Sequence, residues 1–187
     1  MRVVSGKCKG HPLKAVPGNT TRPTTDKVKE AIFNIIGPYF DGGLALDLFG
    51  GSGGLGIEAL SRGIDKAIFV DRDGKAIQVI RQNIESCRLV EQAEVYRNDA
   101  ERAVKALIKR EFVFDLILLD PPYKQQKIVS LISIFDEHKL LATSGKIMAE
   151  HALDIELPEK VGNLVRTKYE KYGITAISIY EYGEGGN

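Results

Sequence analysis

The stretch ILLDPPYKQ, residues 117–125, runs from an apolar, β-favouring segment into an acid, two prolines and an aromatic ring. Proline has no N–H for a sheet ladder and biases the preceding residue toward extended geometry, so strand pairing should stop at Asp120. The turn then offers two acceptors, the Asp120 carboxylate and the Pro121 carbonyl, held by Pro121 and Pro122 in a shape with few alternatives. An exocyclic or amide NH₂ group is a poor nucleophile because its lone pair is delocalised. Two acceptors aimed at its hydrogens favour a pyramidal nitrogen and stabilise the positive charge that develops during attack. Tyr123 can stack on the flat group and keep a flipped base out of its helix. The chemistry suggested is a clamp for a planar amine; a plain strand-ending turn is the alternative.

Upstream, DLFGGSGGLGIEAL places Gly51, Gly53 and Gly56 in a G-x-G-x-x-G pattern between an expected strand and helix. The pattern suits a dinucleotide, with Asp71 as the acid for a ribose hydroxyl, and it suits S-adenosylmethionine equally well. Glycines that only let strand and helix pack closely would leave the same trace. Charge separates the two ligands. A pyrophosphate at this helix N-terminus is opposed by a neighbouring carboxylate, whereas S-adenosylmethionine brings a sulfonium and an ammonium and no phosphate. Asp47 stands four residues before Gly51, Asp71 ends the second expected strand, Asp99 follows the third and Asp120 ends the fourth. Ligands of doubly wound sheets bind outside the carboxyl ends of the strands, so these acids should line one rim, and that rim suits a cation. Asp47 would face the ammonium, Asp71 the ribose hydroxyls and Asp99 the adenine amino group. Each acid is also of a type that caps helices and turns.

Positioning such a rim needs strands that alternate with helices. Strand patterns fall at residues 44–49, 66–71, 93–97, 115–119 and 146–150. Between them, helical faces appear at Leu55, Ala59 and Leu60, at Ile77, Ile80, Ile84 and Cys87, at Ala103, Leu107 and Ile108, and at Ile128, Leu131, Ile132 and Phe135. The expectation is an α/β, Rossmann-like, doubly wound and mostly parallel seven-stranded sheet. Residues 163–172 and 174–182 meet near Gly173, too close for a crossover helix, and should form an antiparallel C-terminal hairpin. Ahead of the sheet, Val28, Ala31, Ile32, Ile35 and Ile36 mark a helix face that Thr24, Thr25 or Asp26 can cap and Gly37-Pro38 stops. Residues 2–5 and 13–16 read as the strands of a small basic β-hairpin. Residues 1–20 are thus expected as an extension on a catalytic domain of residues 21–187.

The 187 residues fit one domain with a real core. Net charge is only +1, but the first 30 residues hold seven Lys or Arg against Asp26 and Glu30, a net of +5 that leaves −4 on the remainder. A basic arm carrying Arg2, Lys7, Lys9 and Lys14 suggests a polyanionic partner. Cys8 and Cys87 stand in no CxxC or Cys/His pattern, and His11, His138 and His151 are scattered, so neither a disulfide framework nor a metal site is expected. No apolar run approaches the roughly 18 residues of a membrane span, and MRVVSGKCKG lacks a secretory core, which favours a reducing cytosol.

The motifs DLFGGSGGLGIEAL, VDRD, NDA and DPPY, in that order on successive strand ends, resemble those of class I S-adenosylmethionine-dependent amino methyltransferases. RPTTDKVKEAIFN and RVVSGKCKGHPL narrow the resemblance to the RsmD family, which methylates N2 of a guanine in bacterial 16S ribosomal RNA, and the tail KYGITAISIYEY extends it over nearly the whole chain. The resemblance implies a target-amine site at Asp120, Pro121, Pro122 and Tyr123. It implies a cofactor site at Asp47, Gly51, Gly53, Asp71 and Asp99, with Arg22, Thr24 and Thr25 closing over the methionine end. His11 stands where an arginine is usual in the basic arm, Gly50 where alanine is common and Asp71 where glutamate is common. The implied partner is 16S rRNA within the small ribosomal subunit or its assembly intermediate, met by a monomer through Arg2, Lys7, Lys9, His11 and Lys14. The same clamp would serve adenine N6 or cytosine N4 in DNA, or a protein glutamine. A nicotinamide-dependent oxidoreductase leaves DPPY unexplained, and a non-catalytic RNA-binding factor leaves the acids at the strand ends unexplained.

Overall fold

The computed structural model describes residues 1–18, 24–122 and 127–184. Five strands run parallel: β1 (Leu44–Asp47), β2 (Lys66–Asp71), β3 (Ala93–Arg97), β4 (Phe114–Leu119) and β5 (Leu141–Ala152), in the order β3-β2-β1-β4-β5. The winding reverses between β1 and β4, which opens a crevice at their carboxyl ends. Beyond β5 the sheet continues antiparallel through β8 (Thr175–Tyr182) and β7 (Leu164–Tyr172) to the two-residue β6 (Lys160–Val161).

The doubly wound sheet and its antiparallel C-terminal hairpin agree with the sequence pattern, and the count differs by one. The eighth strand, β6, turns into β7 through Gly162 and Asn163 and is too short to leave a periodicity. β1 ends at Asp47 rather than residue 49 because Leu48 and Phe49 already turn into the glycine loop. β5 is longer than the expected 146–150, taking in Thr143, Ser144 and Gly145 in a strand whose register shifts against β4.

Helices α1 (Asp26–Ile36), α2 (Gly54–Ser61) and α3 (Gly74–Ser86) cover one face, and α4 (Ala100–Lys109) and α5 (Ile128–Glu137) cover the other. Strand residues alternate between the two layers as the pleat requires. Ala45, Phe69, Leu116, Leu118 and Met148 pack toward α1–α3, while Leu46, Ile68, Ile117, Leu119 and Ile147 pack toward α4 and α5.

Residues 1–18 fold back on themselves without forming the regular hairpin expected. One antiparallel bridge joins Arg2 and Pro12, and Val3 and Leu13 reach into the core beside α1–α3. Val3 N donates to the His11 carbonyl and Leu13 N to the Met1 carbonyl, but Pro12 has no N–H for a ladder, and three further donors are drawn to the body. Val4 and Ser5 donate their backbone N–H groups to Glu58 Oε1 and Oε2 at 2.8 and 3.0 Å, and Lys14 donates its own to Asn83 Oδ1 at 2.8 Å. Glu58 is fully buried, receives Arg62 Nε at 2.7 Å and lies 3.7 Å from Lys29 Nζ, which also donates to the Arg2 carbonyl. Burial holds the Lys29 ammonium below its ordinary pKa, with Glu58 pulling the other way. Among the described residues, no helix is long and apolar enough to cross a membrane.

Candidate active site

Strand alternation decides where the acids point. Asp47, Asp71 and Asp120 each stand two residues after a side chain of the α1–α3 layer, namely Ala45, Phe69 and Leu118. They therefore share one side of the sheet at its carboxyl edge, as the rim inferred from sequence requires. A fourth acid that sequence reasoning missed, Glu150 on β5, follows Met148 in the same way.

The glycine loop closes around two of these carboxylates. Gly51, at φ +57°, donates its N–H to Asp71 Oδ2 at 2.9 Å, and Gly56 donates to Asp47 Oδ2 at 3.0 Å. Asp71 Oδ1 accepts in addition from Asp73 N at 2.9 Å. Gly53 caps α2 in the left-handed region, at φ +83°. Gly56 has no space for a side chain, since a Cβ there would lie 2.3 Å from the Phe69 ring and 3.1 Å from Asp47 Oδ2. Two amides that a pyrophosphate would draw on are thus committed to carboxylates, whose charge would itself repel it. The donor set fits S-adenosylmethionine: a cationic end has carboxylates to meet, and ribose hydroxyls have lone pairs left on Asp71. Asp47 is 1 % exposed, and burial, reinforced by the charge of Asp71, pushes its carboxyl up to about 7 despite the Gly56 hydrogen bond. A positive ligand would relieve that penalty.

Asp120 follows β4, with Pro121 buried and Pro122 exposed beyond it. The register pairs Leu119 with Ala149, which sets Asp120 beside Glu150, and the two carboxyls are hydrogen-bonded to each other. Burial, the Glu150 charge and hydrogen bond, and then Asp47 raise Asp120 well above the usual carboxylate range. Glu150, 7 % exposed, is raised chiefly by burial and lowered by its bonds to Asp120 and Thr24. Both carboxyls are thus held above their ordinary range, as a pair sharing one proton would be. Thr24 Oγ1 donates to Glu150 Oε2 at 3.4 Å, so this residue, expected at the cofactor, touches the carboxyl pair. Thr25 is exposed, and its hydroxyl accepts from Val28 N at 3.3 Å as the cap of α1. Asp99 is likewise exposed and caps α4, with Oδ1 accepting from Glu101 N and Arg102 N. Arg22 and Tyr123 lie outside the described residues.

On the α3 side, Lys7, Lys9 and His11 line an open cleft of about 570 Å³ together with Arg88, which the sequence did not single out. Lys7 Nζ donates to Gln92 Oε1 at 2.7 Å and His11 Nε2 lies 3.1 Å from Ser86 Oγ. Lys9 and Lys14 are exposed, while Arg2 pairs with Asp26 at 2.8 Å. Glu150 carried a faint sequence signal as an acid closing the apolar run IMAE at a strand end, the position Asp120 holds on β4. Arg88 carried none, since a cation after a helix is ordinary.

Residues 1–181 match the family described as conserved hypothetical protein 95. A Bacillus subtilis protein named "Putative rRNA methyltransferase YlbH" is 61% identical over 97% of this chain and 98% of its own length. The Haemophilus influenzae protein named ribosomal RNA small subunit methyltransferase D is 32% identical over 97% of this chain and 93% of its own. Among solved structures, a conserved hypothetical protein of Streptococcus pyogenes, 39% identical, superposes with a TM-score of 0.79 over 86% of this chain and 98% of that one.

Proposed function

The chain belongs to the conserved hypothetical protein 95 family, the RsmD family its motifs resemble, and on that premise we propose that it methylates the exocyclic N2 amine of a guanine in 16S rRNA. Its fold is that of class I methyltransferases, and S-adenosylmethionine is the cofactor. The observation that carries the reading is the rim itself: Asp47 and Asp120 flank the sheet's switch point on one face, beside a loop whose amides already serve carboxylates.

When bound, the cofactor supplies an electrophilic methyl group on a positively charged sulfur. Asp47 holds its cationic end, Asp71 accepts from the ribose hydroxyls, and Asp99 reads the adenine amino group with the oxygen not used to cap α4. Gly51 and Gly53 let the backbone approach closely, while Arg22, Thr24 and Thr25 close the methionine end. Asp120 and the Pro121 carbonyl accept from the guanine amine, Pro122 stiffens the turn, and Tyr123 stacks on the base. Most of the rate comes from proximity and from acceptors fixed before the substrate arrives. Residues 1–20 serve as the RNA-binding arm of a cytoplasmic monomer whose substrate is the small subunit or its assembly intermediate.

Thermal melting tests the cofactor class. S-adenosylhomocysteine at roughly a hundred times its dissociation constant should stabilise the protein by about 2.7 kcal/mol, and NADH should do nothing. Stabilisation by NADH alone would end the methyltransferase reading. Incubation with a labelled methyl donor and unmodified small subunits, followed by mass spectrometry of nucleosides, should give N2-methylguanosine; label in adenine or protein would reassign the substrate. Neutralising Lys7, Lys9 and Lys14 together should weaken RNA binding and flatten its salt dependence, by roughly one unit of log–log slope for each lysine that reaches a phosphate. An unchanged slope would remove the arm from the interface.

A further inference from the structure

We propose that Asp120 and Glu150 act as one proton-sharing pair, in which Glu150 is the positioning residue that orients Asp120 and receives the proton the methylated amine must lose. The inference rests on the amine-clamp reading of Asp120 and extends it to a residue on a second strand.

The geometry begins with the sheet. β4 and β5 are parallel neighbours, and the pairing of Leu119 with Ala149 brings positions 120 and 150 alongside each other on the α1 side. Two acids there would be a liability if both were ionised, because like charges in a desolvated site repel strongly. One proton shared between the two carboxyls, carried by Asp120 in the proposed pair, resolves the conflict, and Thr24 Oγ1 donates to Glu150 Oε2. Glu150 is thereby held on both sides while 7 % exposed. Asp120 spends one oxygen on Glu150 and keeps the other for an amine hydrogen.

The proton balance follows. Methyl transfer forms an N–C bond as the S–C bond breaks, leaving a proton in excess on the amine nitrogen. That proton passes to the free oxygen of Asp120, while the proton already on Asp120 passes to Glu150. Asp120 remains neutral throughout and Glu150 goes from carboxylate to acid, to be deprotonated later by solvent. No oxidant or further reactant is needed. Among the described residues, the other titratable group facing the pair is Asp47 on β1, whose charge acts on Asp120 and which is itself influenced by Asp71 on β2. On β8 the partner of Glu150 is Ile177, which is apolar.

Two readouts test the pair. The first is the melting temperature of the ligand-free protein against pH. An acid whose folded pKa lies above its unfolded value contributes stability that is complete below the unfolded pKa and lost as pH rises through the folded one. Wild type should therefore lose stability as pH rises from the ordinary carboxylate range through neutrality. Glu150→Gln and Asp120→Asn should each flatten that fall, leaving the part due to Asp47. The second readout is turnover. Glu150→Gln should lower kcat by about 10- to 100-fold with S-adenosylhomocysteine affinity unchanged, and Glu150→Asp, which can still take a proton, should recover part of the loss. A Glu150→Gln protein with the wild-type pH slope, or with wild-type kcat, overturns the proposal. Absence of methyl transfer by wild type, with the slope difference intact, would overturn the functional reading and leave the proton-sharing pair standing.

Discussion

Asp120→Ala is expected to lower methyl transfer by about 10²- to 10⁴-fold while leaving S-adenosylhomocysteine affinity within a few-fold of wild type. The residue sits on the substrate side of the switch point, past the end of β4, whereas Asp47, Asp71 and the glycines read as holding the cofactor lie on β1, β2 and the loop into α2. Removing it takes away one of two acceptors for the amine. It also leaves Glu150 buried without its carboxyl partner, although Thr24 remains. The loss should appear in kcat rather than in cofactor binding, since the acceptor acts on charge that grows during attack. Single-turnover transfer to unmodified subunits, with calorimetric titration of the product cofactor, separates the two. Normal turnover by this variant would refute the amine clamp.

Glu58→Ala should be the most damaging substitution away from the catalytic rim, costing about 3–5 kcal/mol. The Glu58 carboxylate accepts from Val4 N, Ser5 N and Arg62 Nε and lies beside Lys29 Nζ, with Glu58, Arg62 and Lys29 all buried. Without it, two buried cations lose their counter-charge. Arg62 has little to fall back on: among the described residues its Nη2 is already without a partner, and its remaining contacts are the Pro38 carbonyl and the Phe33 and Tyr39 rings. Urea denaturation should show a lower midpoint, and hydrogen exchange should show early loss of protection at Val4 and Ser5. RNA affinity should fall with it, because the same carboxylate ties the basic arm to the body. A variant as stable as wild type would mean the cluster contributes no net stability.

Much of the framework was readable from residue order because strand and helix periods switch cleanly between residues 44 and 150, and the acids fall where those strands end. The readable part of the site was the part written on single strand ends: Asp47, Asp71 and Asp120. What escaped depends on lateral neighbours. Glu150 becomes chemically interesting only once the register sets it beside Asp120, and no pattern along the chain encodes that pairing. Lys29 interrupts an otherwise apolar helix face and reads as a solvated lysine until Glu58, far away in sequence, is seen to neutralise it. The arm misled for a related reason. Its alternating residues and glycines suggest a hairpin, and Val3 and Leu13 do donate across the arm, but Val4, Ser5 and Lys14 donate to side chains of the body, which leaves no period to detect.

The place of β8 bears on how the protein is made. Synthesised after β7, it nonetheless lies between β5 and β7, joined to both by antiparallel ladders. A nascent chain leaving the ribosome can wind β1 to β5 with their helices in order of emergence. It must then keep the outer edge of β5 open, an unpaired edge being an aggregation hazard, until Tyr182 has been translated. Since β5 carries Glu150, the strand that holds the proposed proton-sharing pair gains its second neighbour only when β8 slots between β5 and β7.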